Sequence, residues 1–219
     1  MRGASVRPML LGLACLSFIA CVHIGQQQKL PWRLFTLSPL PESRQAGFIS
    51  SPGPGRPVLG VGPIHLPGYL DQDQIVTRIS QDRFALSDND RWTEPLAQNL
   101  AQVLAQNLSG LLQVHYVTLH PWTGQQRPIY QLEIDVLRFE MDTTGMAHLV
   151  ARYSMRDVGS WQLIVGKEVC LTALATGRST EQAVASLSKA LGNFSVEIAK
   201  GIREFVQHYA TQSGVGSRR

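Results

Sequence analysis

Cys21 is the residue whose position in this chain most directly implies chemistry. It closes Phe18-Ile19-Ala20-Cys21, after a largely apolar run from Pro8 to Ala20 and a short basic start carrying Arg2 and Arg7. That layout belongs to a secretory signal peptide. A cysteine directly after a small residue makes it a lipoprotein signal, in which the thiol is acylated and the cysteine becomes the new N-terminus. Phe18 stands where such motifs usually carry leucine. Cys15 is the rival attachment point, but it would leave only Pro8 to Ala14 as the apolar core, at the lower limit for a signal. An uncleaved anchor over Pro8 to Ile24 falls short of the ~20 apolar residues that span a bilayer. The expected organisation is a signal peptide over 1–20, a lipidated tether over 21–30, one domain over 31–210 and a disordered tail over 211–219.

Other residue types that do chemistry do not assemble. His115 and His120 lie five apart in an extended or loop stretch, and no Asp, Glu or Cys sits close in sequence to complete a zinc set. His23 falls in the tether and His208 near the end of a helix, where a cation suits the dipole. There is no Gly-x-Ser-x-Gly elbow and no phosphate-cradling loop. Gly60-Val61-Gly62-Pro63 imitates the start of a dinucleotide fingerprint, but Pro63 follows and no helix opens there. Glu133 and Asp135 share the polar face of one strand, as solvated carboxylates usually do. The sequence therefore offers no catalytic residue, no metal site and no cofactor, and the reading is of a protein that is not an enzyme. Cys170 has no partner once Cys15 leaves with the signal and Cys21 takes lipid, and it is expected to be a small buried core residue. Removal of residues 1–20 leaves 18 basic against 16 acidic side chains. That near-neutral balance, with no basic run before Arg218-Arg219, gives nucleic-acid binding little support.

The elements that would position any site follow from periodicity. Trp32 to Leu37 reads as a strand, and 39–57, rich in proline, glycine and serine, as a loop. Val58 to Val61 and Ile64 to Leu66 are extended, and Ile75–Ile79 with Arg83–Leu86 form a hairpin around Gln81-Asp82. Leu96, Leu100, Val103, Leu104, Leu108 and Leu111 recur at helical spacing, with Thr93 as cap, Pro95 in the first turn and Gly110 at the end. Tyr130, Leu132, Ile134 and Val136 alternate with polar residues, then the pattern slips to Leu137, Phe139 and Met141, which predicts a β-bulge near Val136 and Leu137. Leu149 to Met155 and Trp161 to Leu171 supply two more alternating runs, completing an antiparallel meander. Ser179 with Gln182 resembles a capping box, and it opens a helix about 45 Å long whose apolar face reaches Tyr209. The fold class is α+β, a largely antiparallel sheet with two helices packed on one face, the C-terminal one long.

What remains unusual is Leu66-Pro67-Gly68-Tyr69-Leu70, together with Trp92. Proline and glycine between strands predict a loop, and Tyr69 and Leu70 are costly to expose without a purpose. They, with Leu66, Pro67 and Trp92, are candidate partner contacts. The competing readings stay open: Tyr69 and Leu70 folding back as a lid on the core, and Trp92 stapling the following helix.

Four blocks resemble a known family: Phe35-Thr36-Leu37-Ser38-Pro39, Val61-Gly62-Pro63-Ile64 with Leu66 to Asp71, Gln74 to Arg78, and Trp92-Thr93-Glu94-Pro95-Leu96. They are similar to the PqiC (YmbA-type) ABC-type transport auxiliary lipoproteins, associated with MCE-domain intermembrane transport systems. The resemblance runs from the lipobox through the final helix, and Val61 to Arg78 is its most specific part. It implies a periplasm-facing lipoprotein acting with an MCE-domain tunnel protein and an inner-membrane transport component in moving lipids or other hydrophobic molecules, with no catalytic residue. Val22 after Cys21, where inner-membrane retention generally requires Asp, leads to an expected outer-membrane destination held by N-terminal acyl chains. Two functions compete: an adaptor that anchors the tunnel, and a lipid-binding carrier with an apolar cavity between sheet and C-terminal helix. A homo-oligomer is compatible with either.

Overall fold

The computed structural model describes residues 31–41, 59–114, 117–122 and 127–215, with side chains as far as His208. The signal peptide, Cys21, the tether and His115 lie outside the described residues. Eight strands form one sheet: β1 (Arg33–Phe35), β2 (Leu59–His65), β3 (Gln74–Ser80), β4 (Arg83–Trp92), β5 (Val117–Leu119), β6 (Tyr130–Asp142), β7 (Met146–Asp157) and β8 (Leu163–Leu174). Helix α1 (Leu96–Leu112) follows β4, and α2 (Thr180–Val215) closes the chain.

The meander predicted from alternation is present. β6 pairs antiparallel with β7 and β7 with β8, and the register steps from Val136↔Ala151 to Arg138↔Val150, leaving Leu137 as the bulged residue. The predicted hairpin is β3 and β4, also antiparallel. These are the long ladders. The shorter pairings are parallel, namely β1 on β4, β5 on β2, and both β2 and β3 on β6. β2 lies along Tyr130–Asp135 and β3 along Met141–Asp142, so the two are halves of one run on the same edge of β6, interrupted by residues 66–73. The sheet is thus mixed, with its antiparallel character concentrated in the meander.

Inward residues of the meander, Leu132, Ile134, Phe139, Leu149, Ala151 and Tyr153 among them, meet one stripe from each helix. From α1 come Leu96, Leu100, Val103, Leu104 and Leu108, and from α2 Leu187, Leu191, Phe194 and Ile198. Burying such stripes supplies most of a helix's stability.

Local signals at the helix ends were partly right. Ser179 Oγ accepts the Gln182 N–H (3.3 Å) while Gln182 Oε1 accepts the Ser179 N–H (3.1 Å), a reciprocal capping box. α1 is instead preceded by Pro95 without a side-chain cap, because Thr93 is drawn into the sheet, its N–H donating to Phe35 O. It also runs past Gly110 to a left-handed Gln113. α2 continues to Val215, beyond Tyr209 where its apolar pattern stops and five residues into the segment expected as tail, since each added helical residue gains a hydrogen bond. Cys170 corrects the expectation of burial: Val169 and Ala173 point inward, so by strand alternation Cys170 faces outward and is exposed.

The N-terminal segment is held by side chains rather than by a neighbouring strand. After β1, residues 36–40 lie in the groove between the helices. Asn99 Oδ1 accepts the Leu37 N–H and Asn107 Oδ1 accepts the Leu40 N–H, both at 2.8 Å. From α2, Ser188 Oγ accepts the Ser38 N–H at 3.1 Å. Gly192 leaves room for Leu40, whose Cδ2 would lie 2.7 Å from any Cβ added there.

Candidate functional site

The loop singled out in the sequence, residues 66–73, crosses the break between β2 and β3, and the structure places its side chains unequally. Leu70 is 1% exposed and Trp92 7%, both part of the main core. Leu66, Pro67 and Tyr69 are half-buried, and Gly68 is exposed at the crest of a turn closed by Leu70 N–H donating to Pro67 O (2.9 Å). As contacts offered to a partner, Leu70 and Trp92 are therefore corrected: their apolar surface is already spent on the core. The lid reading describes Leu70, and Trp92, the last residue of β4, belongs to the same core.

Tyr69 leads to a feature the sequence reading passed over. Its hydroxyl donates to Glu140 Oε2 at 2.8 Å, and Glu140 has no exposed side-chain surface. The same carboxylate accepts Arg78 Nε at 2.8 Å, Arg138 Nε at 2.9 Å and the Phe139 N–H at 3.0 Å. Tyr69 stacks on Phe84 with centroids 4.3 Å apart, and the Arg78 guanidinium lies 4.4 Å from the centre of the same ring. Burial alone would push the Glu140 carboxyl up, but the hydrogen bonds from Arg78, Tyr69 and Arg138 outweigh it and hold the group below its ordinary value. Tyr69 is pushed well above the ordinary phenol value by burial, and further by donating to Glu140. The cluster thus keeps a carboxylate and a neutral phenol, with two guanidinium groups as counter-charges. It does the work of a clamp, tying the 66–73 loop to β6 at the bulge that leaves Leu137 unpaired.

A second polar junction fixes the N-terminal edge. Asp90, 4% exposed, accepts Arg33 Nε on Oδ1 at 2.6 Å, and its Oδ2 accepts both Arg33 Nη2 at 2.9 Å and Thr180 Oγ1 at 2.5 Å. Burial raises the Asp90 carboxyl, and the hydrogen bonds from Arg33, Thr180 and Ser87 lower it by more. One carboxylate thereby joins β1, β4 and the first residue of α2.

Ser87 and Thr180, which border the Asp90 junction, also line a cleft of about 350 Å³ between the β3–β4 hairpin and the start of α2. Among the described residues, no three His, Cys, Asp or Glu side chains converge to hold a metal ion, and no helix is long and apolar enough to cross a membrane. Between sheet and helices, the space lined by Ile64, Leu104, Ile134, Phe139, Leu191 and Phe194 measures about 10 Å³. That is about one water's worth, where ligand pockets begin near 300 Å³.

Residues 35–199 match the model of the ABC-type transport auxiliary lipoprotein component. The chain belongs to that family. The matched span opens at Phe35, the last residue of β1 before the strap formed by residues 36–40, and ends within α2, so it contains the whole Glu140 cluster and, of the second junction, Asp90 and Thr180. Two curated relatives, the intermembrane transport lipoproteins PqiC of Escherichia coli (strain K12) and Shigella flexneri, are each 31% identical over 82 residues. Those residues are 37% of this chain, and the match spans 44% of each relative, less than half its length. Among solved structures, a Xanthomonas campestris protein is similar with a TM-score of 0.64 at 17% identity, covering 82% of this chain and 99% of that one. An uncharacterised protein follows at 0.63 and 19%, covering 79% and 99%. These likenesses carry the fold alone. The family is described as a transport auxiliary lipoprotein, a description that contains no reaction.

Proposed function

We propose that this lipoprotein is anchored through Cys21 to the periplasmic face of the outer membrane and serves as the adaptor subunit of an MCE-type intermembrane transport system. Its partners in this reading are an MCE-domain tunnel protein and an inner-membrane transport component, and its role is to hold the tunnel's outer end while lipid or another hydrophobic molecule passes. The names of the PqiC relatives support the transport setting. Val22 after Cys21 supports the outer membrane, and several acyl chains at ~0.8 kcal/mol per buried CH₂ make spontaneous release negligible.

The observation that favours an adaptor over a carrier is the filled interior. A carrier needs an apolar cavity between the sheet and α2; the interior space there is about 10 Å³, and the larger cleft, about 390 Å³ between β7–β8 and the later part of α2, is lined by the charged side chains of Lys167, Glu197, Lys200 and Glu204. For docking, the Leu66-Pro67-Gly68 crest is the part of the loop a partner can touch, with Tyr69, Leu70 and Trp92 holding it from beneath. Native mass spectrometry of the purified lipoprotein tests the choice. An adaptor gives the mass of the acylated chain or a whole multiple of it, and a stoichiometric, non-covalently held lipid would overturn it in favour of the carrier. Cross-linking from a probe at Gly68 to the tunnel protein tests the docking crest.

A further inference from the structure

Two large apolar side chains stand out of the sheet edge that the tether enters. Trp32 is 70% exposed and Leu34 62%. They are two residues apart on an extended segment and share a face, and Leu34 is in register with Arg91, whose guanidinium lies 5.7 Å from the centre of the Trp32 ring. The charges around this pair are already used. Arg91 donates to the carbonyls of Ser87 (2.7 Å), Asp90 (3.0 Å) and Asp88 (3.0 Å), and Arg33 is paired with Asp90 and Glu181. The edge therefore presents an indole and a leucine beside one ion-paired guanidinium and one whose N–H donors are engaged by backbone carbonyls.

From these residues we infer that Trp32 and Leu34 are a second membrane contact, seated in the headgroup region of a zwitterionic phospholipid surface beside the lipid anchor. The inference rests on the reading of Cys21 as the acylated residue. Trp32 lies eleven residues after Cys21, a span of about 40 Å at most when fully extended. The anchor thus keeps the first strand at high effective concentration near the bilayer. Tryptophan is enriched at the membrane interface, where its ring is apolar and its N–H stays wet, and stable attachment commonly combines acyl chains with a second protein signal. With Arg33 ion-paired and the Arg91 donors engaged, the exposed surface of this second signal is the indole and the leucine, and the contact needs no anionic lipid. The other strongly exposed indole, Trp161 at 60%, sits in the β7–β8 turn at the opposite end of the sheet and has no tether beside it.

The test uses the full-length acylated chain in phosphatidylcholine vesicles carrying brominated acyl chains, with tryptophan emission and vesicle flotation read together. Bromolipid should quench part of the emission, and that part should vanish in Trp32→Phe while persisting in Trp161→Phe. Leu34→Asp should diminish it, and added anionic lipid should leave it unchanged. Equal quenching in wild type and Trp32→Phe, with the chain still floating, overturns the contact and leaves the anchor standing. Flotation and Trp32 quenching that both survive Cys21→Ser remove the anchor and leave the contact. Wild type that does not float removes both. Quenching that appears only with anionic lipid overturns the zwitterionic assignment.

Discussion

Replacing Glu140 by glutamine tests the clamp at its centre. The substitution keeps the shape and removes the charge that Arg78 and Arg138 were placed to meet. Breaking a fully buried ion pair from one side costs about 3–5 kcal/mol. Here the guanidinium groups left behind are 21% and 34% exposed and recover some hydration, so the expected loss is about 2–3 kcal/mol. For a chain of this size that corresponds to a fall in Tm of roughly 5–10 °C. Tyr69→Phe removes one hydrogen bond to a charged acceptor while the other three remain, and should cost about 1.5–3 kcal/mol. Because both act through one carboxylate, the double variant should lose less than the sum of the singles. The pH dependence has a definite sign. The folded pKa of Glu140 lies below its unfolded value, near 4.3, so the unfolded chain takes up the proton first. The stabilisation is complete above pH ~4.3 and is lost as pH falls through the folded pKa. Thermal melts of wild type and Glu140→Gln should therefore converge on acidification. A variant that melts within about a degree of wild type at pH 7, or a difference that stays constant into acid, would refute the clamp.

Three further outcomes follow, the first from the sequence and the other two from the packing. Cys21→Ser should abolish labelling by a fatty-acid probe, and continued labelling of that variant with loss in Cys15→Ser would move the attachment point. Leu70→Ala should cost about 2–5 kcal/mol through the cavity it leaves, whereas a surface contact would change folding stability by no more than ~0.5 kcal/mol. Asn107→Ala should cost about 1–3 kcal/mol by stranding a buried N–H and speed hydrogen exchange at the Leu40 amide, and unchanged exchange there would show that the strap does not depend on its clip.

Much of this fold is legible because it is local. The slip from Val136 to Phe139 announces the bulge, Ser179 and Gln182 announce the start of α2, and leucines at helical spacing announce α1. Parallel pairing is not local: nothing in β2 or β3 encodes that both will lie on the same edge of β6, some seventy residues later. The orientation of Cys170 was readable, since Val169 and Leu171 claim the inward positions, and only the general preference of cysteine for burial argued otherwise. The 66–73 loop shows a similar limit. Pro67 and Gly68 mark a turn truthfully, but turn residues do not say what lies beneath, and the acceptor of the Tyr69 hydroxyl is 71 residues away. A local hint did exist: after the bulge, Arg138 and Glu140 fall on one face of β6, an opposite-charge pair at i and i+2 facing away from the helices.

The strap shows why a polar residue on an apolar face can be the informative one. Asn99 and Asn107 lie within the buried stripe of α1, flanked by Leu96, Leu100, Val103, Leu104 and Leu108, and are 2% and 0% exposed. A stripe made wholly of leucine would pack against an aliphatic neighbour, but it could not receive a stretch of backbone that has no strand partner, because each buried N–H left unmet costs about 1–3 kcal/mol. A carboxamide accepts and donates at once. Asn99 takes the Leu37 N–H and returns a bond to Thr36 Oγ1, and Asn107 takes the Leu40 N–H and returns one to Ser195 Oγ on α2. Eight residues is close to two helical turns, so both carboxamides face the strap, and their hydrogen bonds fall three residues apart along its extended chain. The segment leading from the tether is thereby sewn to α1 and, through Ser188 and Ser195, to α2. Force applied at the N-terminus meets β1, three residues long on β4, and its Arg33–Asp90 pair first, and the strap's bonds to the helix pair stand directly behind it. For a chain held at its N-terminus this is the arrangement that transmits an anchor to the body of the domain, and Phe35 to Pro39, at the opening of the matched family span, is the segment that does it.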